Sequence, residues 1–508
     1  MIKKFLLHSN EVIKVSEGLK KQNKTIALCH GVFDLFHLGH LKYFENAKKN
    51  ADYLFVSITS DKFVKKGFNR PFYSQNERIK ILSSLEIIDH IVLSDEETSQ
   101  EVIKLVKPNF YIKGPDYKDN TKDTTKNIYK ENATAKKFGG KIIYTNDKTL
   151  SSGSLINKYF NNLNEKQKKM QEIIKKKYTF EFIKRKIENL KKLKILLIGE
   201  TIIDEYIFSE SIGKSGKEPH LVIRNINSEI YLGGIIAIAK HLESFSKKVS
   251  IISTLGHDKK YKNFIEKNLR KNTSSYFLYK KNCPTIIKKR FVDKLTNHKL
   301  LGVYSLNDRN LLPSENEKLE KLVTTKASQN DLVIVSDYGH GFIMPNIAKK
   351  ICRFSNKVFL NAQLNATNIG YHTLNNYNNF NSLIINESEL RHEFKDRYSD
   401  VKFLIKELSK KIKCNSILVS RGTNGAIFYN SLTKNFFNCP AYANKIIDKV
   451  GAGDTLLAIF SICIFAKIPD DLSLFIASLA AASVVENMGN SKNVDKASLL
   501  KLIENHLK

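Results

Sequence analysis

The sequence predicts an α/β fold built as two successive domains, each around a mostly parallel sheet, and three observations carry that expectation. Short apolar runs alternate with stretches of helical spacing along both halves of the 508 residues. Two glycine-bearing turns, His30–His40 (HGVFDLFHLGH) and Asp448–Asp454 (DKVGAGD), each lead into a helix. Between the halves, residues 161–193 form a Lys-rich segment without glycine or proline. The expected organisation is a first domain over 1–160, a helical linker with a solvated charged face over 161–193, and a second domain over 194–508.

In the first half, Thr25–Cys29 reads as a strand, followed by the His30–His40 turn and a helix from Leu41 to Lys49. Tyr53–Thr59, Asp89–Leu93, Phe110–Lys113 and Lys141–Thr145 are further strand-like runs, and Gln75–Leu85 has helical spacing. Ligands of such sheets sit at the carboxyl ends of the strands, where the turn falls. Free amides and the positive helix end there suit an anion, and His37 and His40, three apart, can both face it. Two imidazoles beside backbone donors would clamp a triphosphate under attack at its α-phosphorus. The plainer alternative is a helix cap or a solvated side chain. Arg70 and Arg78 are candidate phosphate partners, with the Arg78 guanidinium reaching out from its helix. Lys113–Asp116 follows a strand and would approach the nucleotide or an acceptor phosphate.

Cys29–Lys49 resembles the signature of the cytidylyltransferase-like nucleotidyltransferases, a His-x-Gly-His motif on a Rossmann-like sheet, and the resemblance extends to about Phe160. Arg70–Leu82, Ile112–Tyr117 and Leu150–Phe160 continue it. Within that family the stretch resembles the adenylyltransferase half of the bifunctional enzymes of ADP-heptose synthesis. The resemblance implies catalytic roles for His37 and His40. It implies nucleotide contacts from Gly31, Phe33, Asp34, Gly39, Arg70, Arg78, Lys113, Gly114, Ser151, Ser152 and Ser154. Where the group tends to have Ser-Thr-Thr, this chain has Ser151, Ser152 and Gly153.

The second half begins with the strand-like Lys194–Glu200. Leu221–Ile226 and Glu229–Leu232 are short strands expected to form a lid, followed by Gly233-Gly234 and a helix. Val249–Leu255, Thr285–Asp293, Leu300–Leu306, Asp331–Asp337, Lys357–Leu360, Ser382–Asn386 and Ser416–Ser420 continue the alternation. In DKVGAGD, Gly451 and Gly453 let the backbone approach a ligand, and the amides of Ala452, Gly453 and Asp454 open toward an anion at the start of the apolar helix Thr455–Ala466. A carboxylate at that point would repel phosphate. It makes sense as a base that takes a hydroxyl proton while the amides hold the transferring phosphoryl group. A plain Gly-rich turn with an acidic first helical turn is the alternative.

From Lys194 onward the chain resembles the PfkB/ribokinase sugar kinases in Gly199–Asp204 (GETIID), Gly233-Gly234, Asp337-Tyr338, Asn386–Glu389 (NESE), Arg421–Gly425 (RGTNG) and the GAGD motif. The resemblance implies that Asp454 is the base and that Gly451, Ala452 and Gly453 form the anion hole. Asp204, Gly233, Gly234 and Asp337 would serve the sugar, Asn386 and Glu389 would order Mg2+ and its waters, and Arg421, Gly422 and Gly425 would lie near ATP. Glu200 stands where the family often has Asp, and Ala237 where it often has Asn; both positions are expected to touch the sugar. The Asn-rich stretch Asn361–Leu374, with His372, is a further candidate for substrate contact.

The composition sets bounds. An apolar fraction of 42% provides for sizeable cores. Six scattered cysteines without a C-x-x-C pair argue against a zinc ribbon or disulfide framework and fit a reducing cytoplasm. The opening residues lack a signal-peptide pattern, and no apolar run reaches the roughly 18 residues that span a bilayer. The net charge of +32 is Lys spread along the chain, so nucleic acid is not the expected partner, and a positive field would help capture polyphosphates. The expectation is a bifunctional cytoplasmic enzyme using Mg2+ and ATP, with CTP as the alternative nucleotide. It would phosphorylate a sugar or sugar phosphate and activate a sugar phosphate, with the domain order of the heptose enzymes inverted and a homodimer expected by analogy. The rivals are a polyol-phosphate cytidylyltransferase joined to a polyol kinase, and a degenerate kinase fold that only binds sugar or dimerises.

Overall fold

The computed structural model describes residues 5–507 apart from 7–8, 65–70, 97, 115–126, 146–162, 258–259, 307 and 444. The chain folds as two compact units, the first grouping the residues before Leu163 with Leu500–His506 and the second running over Leu163–Leu499.

The first unit holds a six-stranded parallel sheet. Its order is Phe5–Leu6, His90–Ser94, Tyr53–Thr59, Ile26–Gly31, Phe110–Lys113, Lys141–Tyr144. From Ile26–Gly31 the chain steps outward on one side of the sheet, then returns to build the other. The order therefore reverses at the carboxyl end of this strand, where open α/β sheets form a crevice. The HGVFDLFHLGH turn leaves from that end. The strand buries Ile26, Ala27, Leu28 and Cys29 completely, as a run apolar on both faces requires. The following helix is Leu38–Lys48, three residues earlier than expected, because His37 caps it with its own side chain.

The second unit has two sheets. Nine strands run in the order Thr273–Lys280, Lys248–Gly256, Lys194–Gly199, Leu332–Asp337, Val358–Ala362, Phe380–Asn386, Cys414–Ser420, Ala426–Asn430, Asn435–Cys439. All pairs are parallel except those made by the last two strands, which are antiparallel. The helices Ala452–Phe465 and Asp470–Val485 are buried along nearly their whole length, the fate of a helix apolar all round. The second sheet, Lys299–Ser305, Ile286–Asp293, Thr201–Lys214, Leu221–Gly234, is a lid in form, and every residue of Lys299–Ser305 is exposed. The two short strands expected over 221–232 are one 14-residue strand, paired with the equally long Thr201–Lys214.

Residues 163–193 are helical over Glu165–Lys177 and Phe180–Asn189, yet they are not a free connector. Met170, Ile174, Ile183, Ile187 and Leu190 are buried. Gln167 Nε2 donates to the Ala441 carbonyl at 2.5 Å, and Lys177 and Tyr178 both reach Asp471, at 2.6 and 2.7 Å. The lysines take the outer face while an apolar stripe at helical spacing docks on the second unit.

Candidate active sites

In the first unit the turn brings His37 and His40 face to face, with ring centroids 3.9 Å apart and planes inclined by 22°. His37 Nδ1 accepts the Gly39 N–H at 3.1 Å, which fixes its ring as the helix cap. His40 lies between Phe33, edge-on at 5.5 Å, and Phe36, stacked at 5.8 Å. Phe33 and Leu35 adopt φ of 50° and 45°, a left-handed backbone that bulky residues rarely take, so the turn is strained at the point where the motif bends. Gly31 lets the Phe33 ring lie against the backbone; a Cβ there would stand 3.1 Å from it.

Two of the expected phosphate contacts, Arg78 and Asp34, brace this turn. Arg78 is 1% exposed and does not reach out from its helix. Its Nη1 donates to the Val32 carbonyl at 2.6 Å, Nε to Tyr73 at 3.1 Å, and Nη2 to Thr59 at 2.9 Å and Asp61 at 2.6 Å. Asp34, fully buried, accepts the N–H groups of Phe72 and Tyr73 at 2.8 and 3.0 Å. Lys113 is also inside, 2.8 Å from Glu131, which in turn accepts the Tyr111 hydroxyl. A buried cation needs a buried anion, and Glu131 went unnoticed in the sequence because nothing local marks it. Gly114 has open space where a side chain would stand. His30, whose Nδ1 meets the Ser57 hydroxyl at 3.0 Å, is held neutral: burial and then Lys113 push its pKa down to about 4. Arg70, Ser151, Ser152 and Ser154 lie outside the described residues.

In the second unit Gly451 caps the helix Ala452–Phe465 with φ 88°, and a Cβ there would stand 2.4 Å from Asn490 Oδ1. Asp454 sits in the first turn, partly accessible, and its Oδ1 accepts the Tyr338 hydroxyl at 2.9 Å. Burial pushes its carboxyl up to about 6, against the pull of Tyr338. Asp448 pins the loop ahead of it, accepting from Tyr206 at 2.6 Å, Lys299 at 2.5 Å, Val450 N–H and Gly489 N–H. Asp204 meets Arg290 at 2.5 Å and Asn490 at 3.3 Å. Gly233 is glycine because a Cβ would fall 2.3 Å from Asp204 Oδ2, and Gly234 takes φ 58° against the Glu200 carbonyl.

Asp337 faces the interior of the second unit. It is 3% exposed, accepts the Tyr377 hydroxyl at 2.6 Å and the Gly339 N–H at 3.0 Å, and burial pushes it up to about 6. His372 stands 3.7 Å from it. Glu200 is fully buried, its two oxygens accepting the Tyr338 and His340 N–H groups, and Ala237 is packed inside its helix, so the expectation that these positions touch a sugar is corrected. Asn386 and Glu389 form a reciprocal capping box at 2.8 Å each way; Glu389 also accepts the Leu364 N–H, and burial pushes it up to about 7. Among the described residues no group of three or more His, Cys, Asp or Glu side chains could hold a metal ion. Arg421 donates to Glu387 at 2.7 Å, and Gly422 and Gly425 take φ of 55° and 82°, the latter under the Cys439 carbonyl.

Both units thus place their candidate site side chains where a tight turn opens into a helix, a position that suits an anion such as phosphate. The chain belongs to the pfkB family of carbohydrate kinases, whose profile matches residues 192–497, and it carries a cytidylyltransferase-like domain ahead of it, matched over 28–159. It therefore joins a nucleotidyltransferase domain to a carbohydrate-kinase domain. Among curated proteins it is similar to the bifunctional protein HldE of Nitratiruptor sp., 43% identical over 116 residues, which is 22% of this chain and 25% of that protein. HldE of Aliarcobacter butzleri is 42% identical over 109 residues, 21% of this chain and 23% of its own length. The chain spans about a quarter of the length of these relatives. Phosphofructokinase-2 from Escherichia coli, 14% identical with a TM-score of 0.50, shares the fold over 62% of this chain and 100% of its own. No helix among the described residues is long and apolar enough to cross a membrane.

Proposed function

We propose that the second unit phosphorylates a sugar or sugar phosphate from ATP and that the first couples a sugar 1-phosphate to a nucleoside triphosphate, releasing pyrophosphate. The product would be a nucleotide-activated sugar of the ADP-heptose kind, used for surface polysaccharide such as lipopolysaccharide. The observation that carries the reading is Asp454, a partly accessible carboxylate in the first turn of a glycine-capped helix, oriented by Tyr338. There it takes the proton of the attacking hydroxyl, while the amides of Ala452 and Gly453 face the transferring phosphoryl group. Asp204, braced by Arg290 and Asn490, is the hydroxyl-binding carboxylate of the acceptor site. In the first unit His37 and His40 stabilise charge on the phosphates as pyrophosphate leaves.

Mg2+ would neutralise phosphate charge in both steps. Both Glu389 oxygens and the Asn386 oxygen already accept backbone N–H groups, which suits ordering the waters of a metal carried by ATP better than direct ligation. Six buried free cysteines fit a reducing cytoplasm. A second copy of the chain is the proposed cover for the exposed apolar side chains of the lid, including Ile212, Leu221, Leu301 and Val303. The test is a turnover screen of heptose, hexose and polyol phosphates, with pyrophosphate release followed on ATP and on CTP. Release only with CTP and a polyol phosphate would replace the sugar reading with the polyol one. Absent phosphorylation of every acceptor would reduce the second unit to a binding module.

A further inference from the structure

Lys288 lies on the strand Ile286–Asp293 of the lid, in register with Asp204 on one neighbouring strand and with Tyr304 on the other. It is 8% exposed. The two other cations of this face are paired: Arg290 with Asp204, and Lys299 with Asp448. The Lys288 carbonyl accepts from Arg290 Nη1 at 3.4 Å, but its ammonium alone makes no hydrogen bond and no ion pair among the described residues. Its ammonium stands 5.8 Å from the centres of the Tyr304 and Tyr338 rings, the outer limit of a useful cation–π contact. That does not offset burying a charge. Tyr338 is the residue whose hydroxyl holds Asp454, and the charges of Asp204, Glu200 and Asp454 all act on Lys288. An ammonium buried beside the proposed base, and left without an oxygen, lacks the anion that would complete it.

We propose that Lys288 contacts the substrates of the second unit, its ammonium receiving a phosphate oxygen, either from the γ-phosphoryl group of ATP or from a phosphate carried by the acceptor. The inference rests on the kinase reading of this unit. A lysine suits the task because its three donors rotate to follow a phosphate that changes charge and shape as it transfers. Burial pushes its pKa down, which an incoming phosphate would reverse.

The test uses the full chain with Lys288 intact, Lys288→Gln, Lys288→Met and Lys288→Arg, titrated calorimetrically with four probes. The ratio of affinities for adenosine 5′-(β,γ-imido)triphosphate and ADP reports the γ-phosphate. The ratio for mannose 6-phosphate and mannose reports an acceptor phosphate. One of the two ratios is expected to fall about tenfold or more in Lys288→Gln and Lys288→Met and to recover in part in Lys288→Arg, with ADP and mannose binding unchanged. Which ratio falls names the source of the phosphate. Both ratios holding within about twofold, or an intact chain that shows neither preference, would overturn the proposal. A chain that loses a ratio in this way yet phosphorylates no acceptor would overturn the kinase reading and leave Lys288 as a phosphate ligand.

Discussion

Replacing Asp454 by Asn should abolish sugar phosphorylation and at the same time stabilise the second unit at neutral pH. The carboxyl is pushed from its ordinary 3.8 up to about 6, first by burial. Its ionised form is therefore disfavoured in the folded chain by about two units, or ~3 kcal/mol. Because the side chain keeps some accessible surface, solvent screening brings this to roughly 2 kcal/mol. The sign follows from linkage: a raised carboxyl costs nothing below its unfolded pKa near 4, and costs the full amount above about 6. Asn carries no charge at either end and still accepts the Tyr338 hydroxyl. The variant should thus gain roughly 2 kcal/mol at pH 7 and lose that gain by about pH 4. Denaturant unfolding at both pH values, read by hydrogen exchange of the helix Ala452–Phe465, isolates this unit. ATP-dependent phosphorylation should fall by on the order of 10²–10⁴, with pyrophosphate release by the first unit unchanged. A loss of stability at pH 7, or an equal gain at both pH values, would refute the burial argument. Retained phosphorylation would refute the base.

Tyr338→Phe removes the hydroxyl that holds the Asp454 carboxylate in its ionised form, so the acid limb of the kinase rate should move up from near pH 6 by about one unit; initial rates across pH 5–9 check this, and an unmoved limb would count against it. His37→Asn keeps a helix-capping side chain, so the first unit should stay folded while pyrophosphate release drops by about 10²–10³; a near-normal rate would make His37 a cap and nothing more. Arg78→Met leaves three carbonyls and Asp61 without their donor and should cost the first unit about 3–5 kcal/mol in thermal unfolding, with phosphorylation spared. A loss below about 1 kcal/mol would mean that the guanidinium is not the brace its contacts describe.

What was legible in the sequence follows from how local each signal is. Strands such as Tyr53–Thr59 and Leu332–Asp337 are buried on both faces, so they read as unbroken apolar runs, and the α/β class of both units came from them. The lid hairpin did not read well. Along Leu221–Gly234 only the last three residues are buried, and exposed Arg224, Asn225 and Asn227 break the pattern into fragments. Thr273–Lys280 and Asn435–Cys439 escaped notice because edge strands bury little and look like loops. Side-chain direction was the larger gap. The helical position of Arg78 is plain from spacing, but whether a guanidinium points to solvent or to Val32 and Thr59 depends on partners far away in sequence. Lys288 and Asn490 belong to the same class: cross-strand register and a distant turn bring them to the site, and no motif announces either.

Glu200 shows how a departure from a family pattern can serve the backbone around a proposed site. In sequence it replaces an Asp beside the sugar-binding motif and weakens the case for a working kinase. In the fold it follows the central strand Lys194–Gly199 and is fully enclosed, where burial, and next the Asp337 carboxylate, push its pKa up. One oxygen accepts the Tyr338 N–H at 3.0 Å and the other the His340 N–H at 3.1 Å, so a single side chain satisfies two backbone donors of one turn. That turn sets the height of the Tyr338 ring, and the Tyr338 hydroxyl sets the orientation of Asp454. The extra methylene of Glu therefore acts on the proposed base at second hand, through the backbone, while Ala237 is packed in its helix and Asp204 is held by Arg290 and Asn490. Shortening Glu200 to Asp would draw the carboxylate back from at least one of these N–H groups, at a cost of about 1–3 kcal/mol for the donor left unsatisfied. The substitution that looks most family-like is thus the one expected to loosen the turn that orients the proposed base.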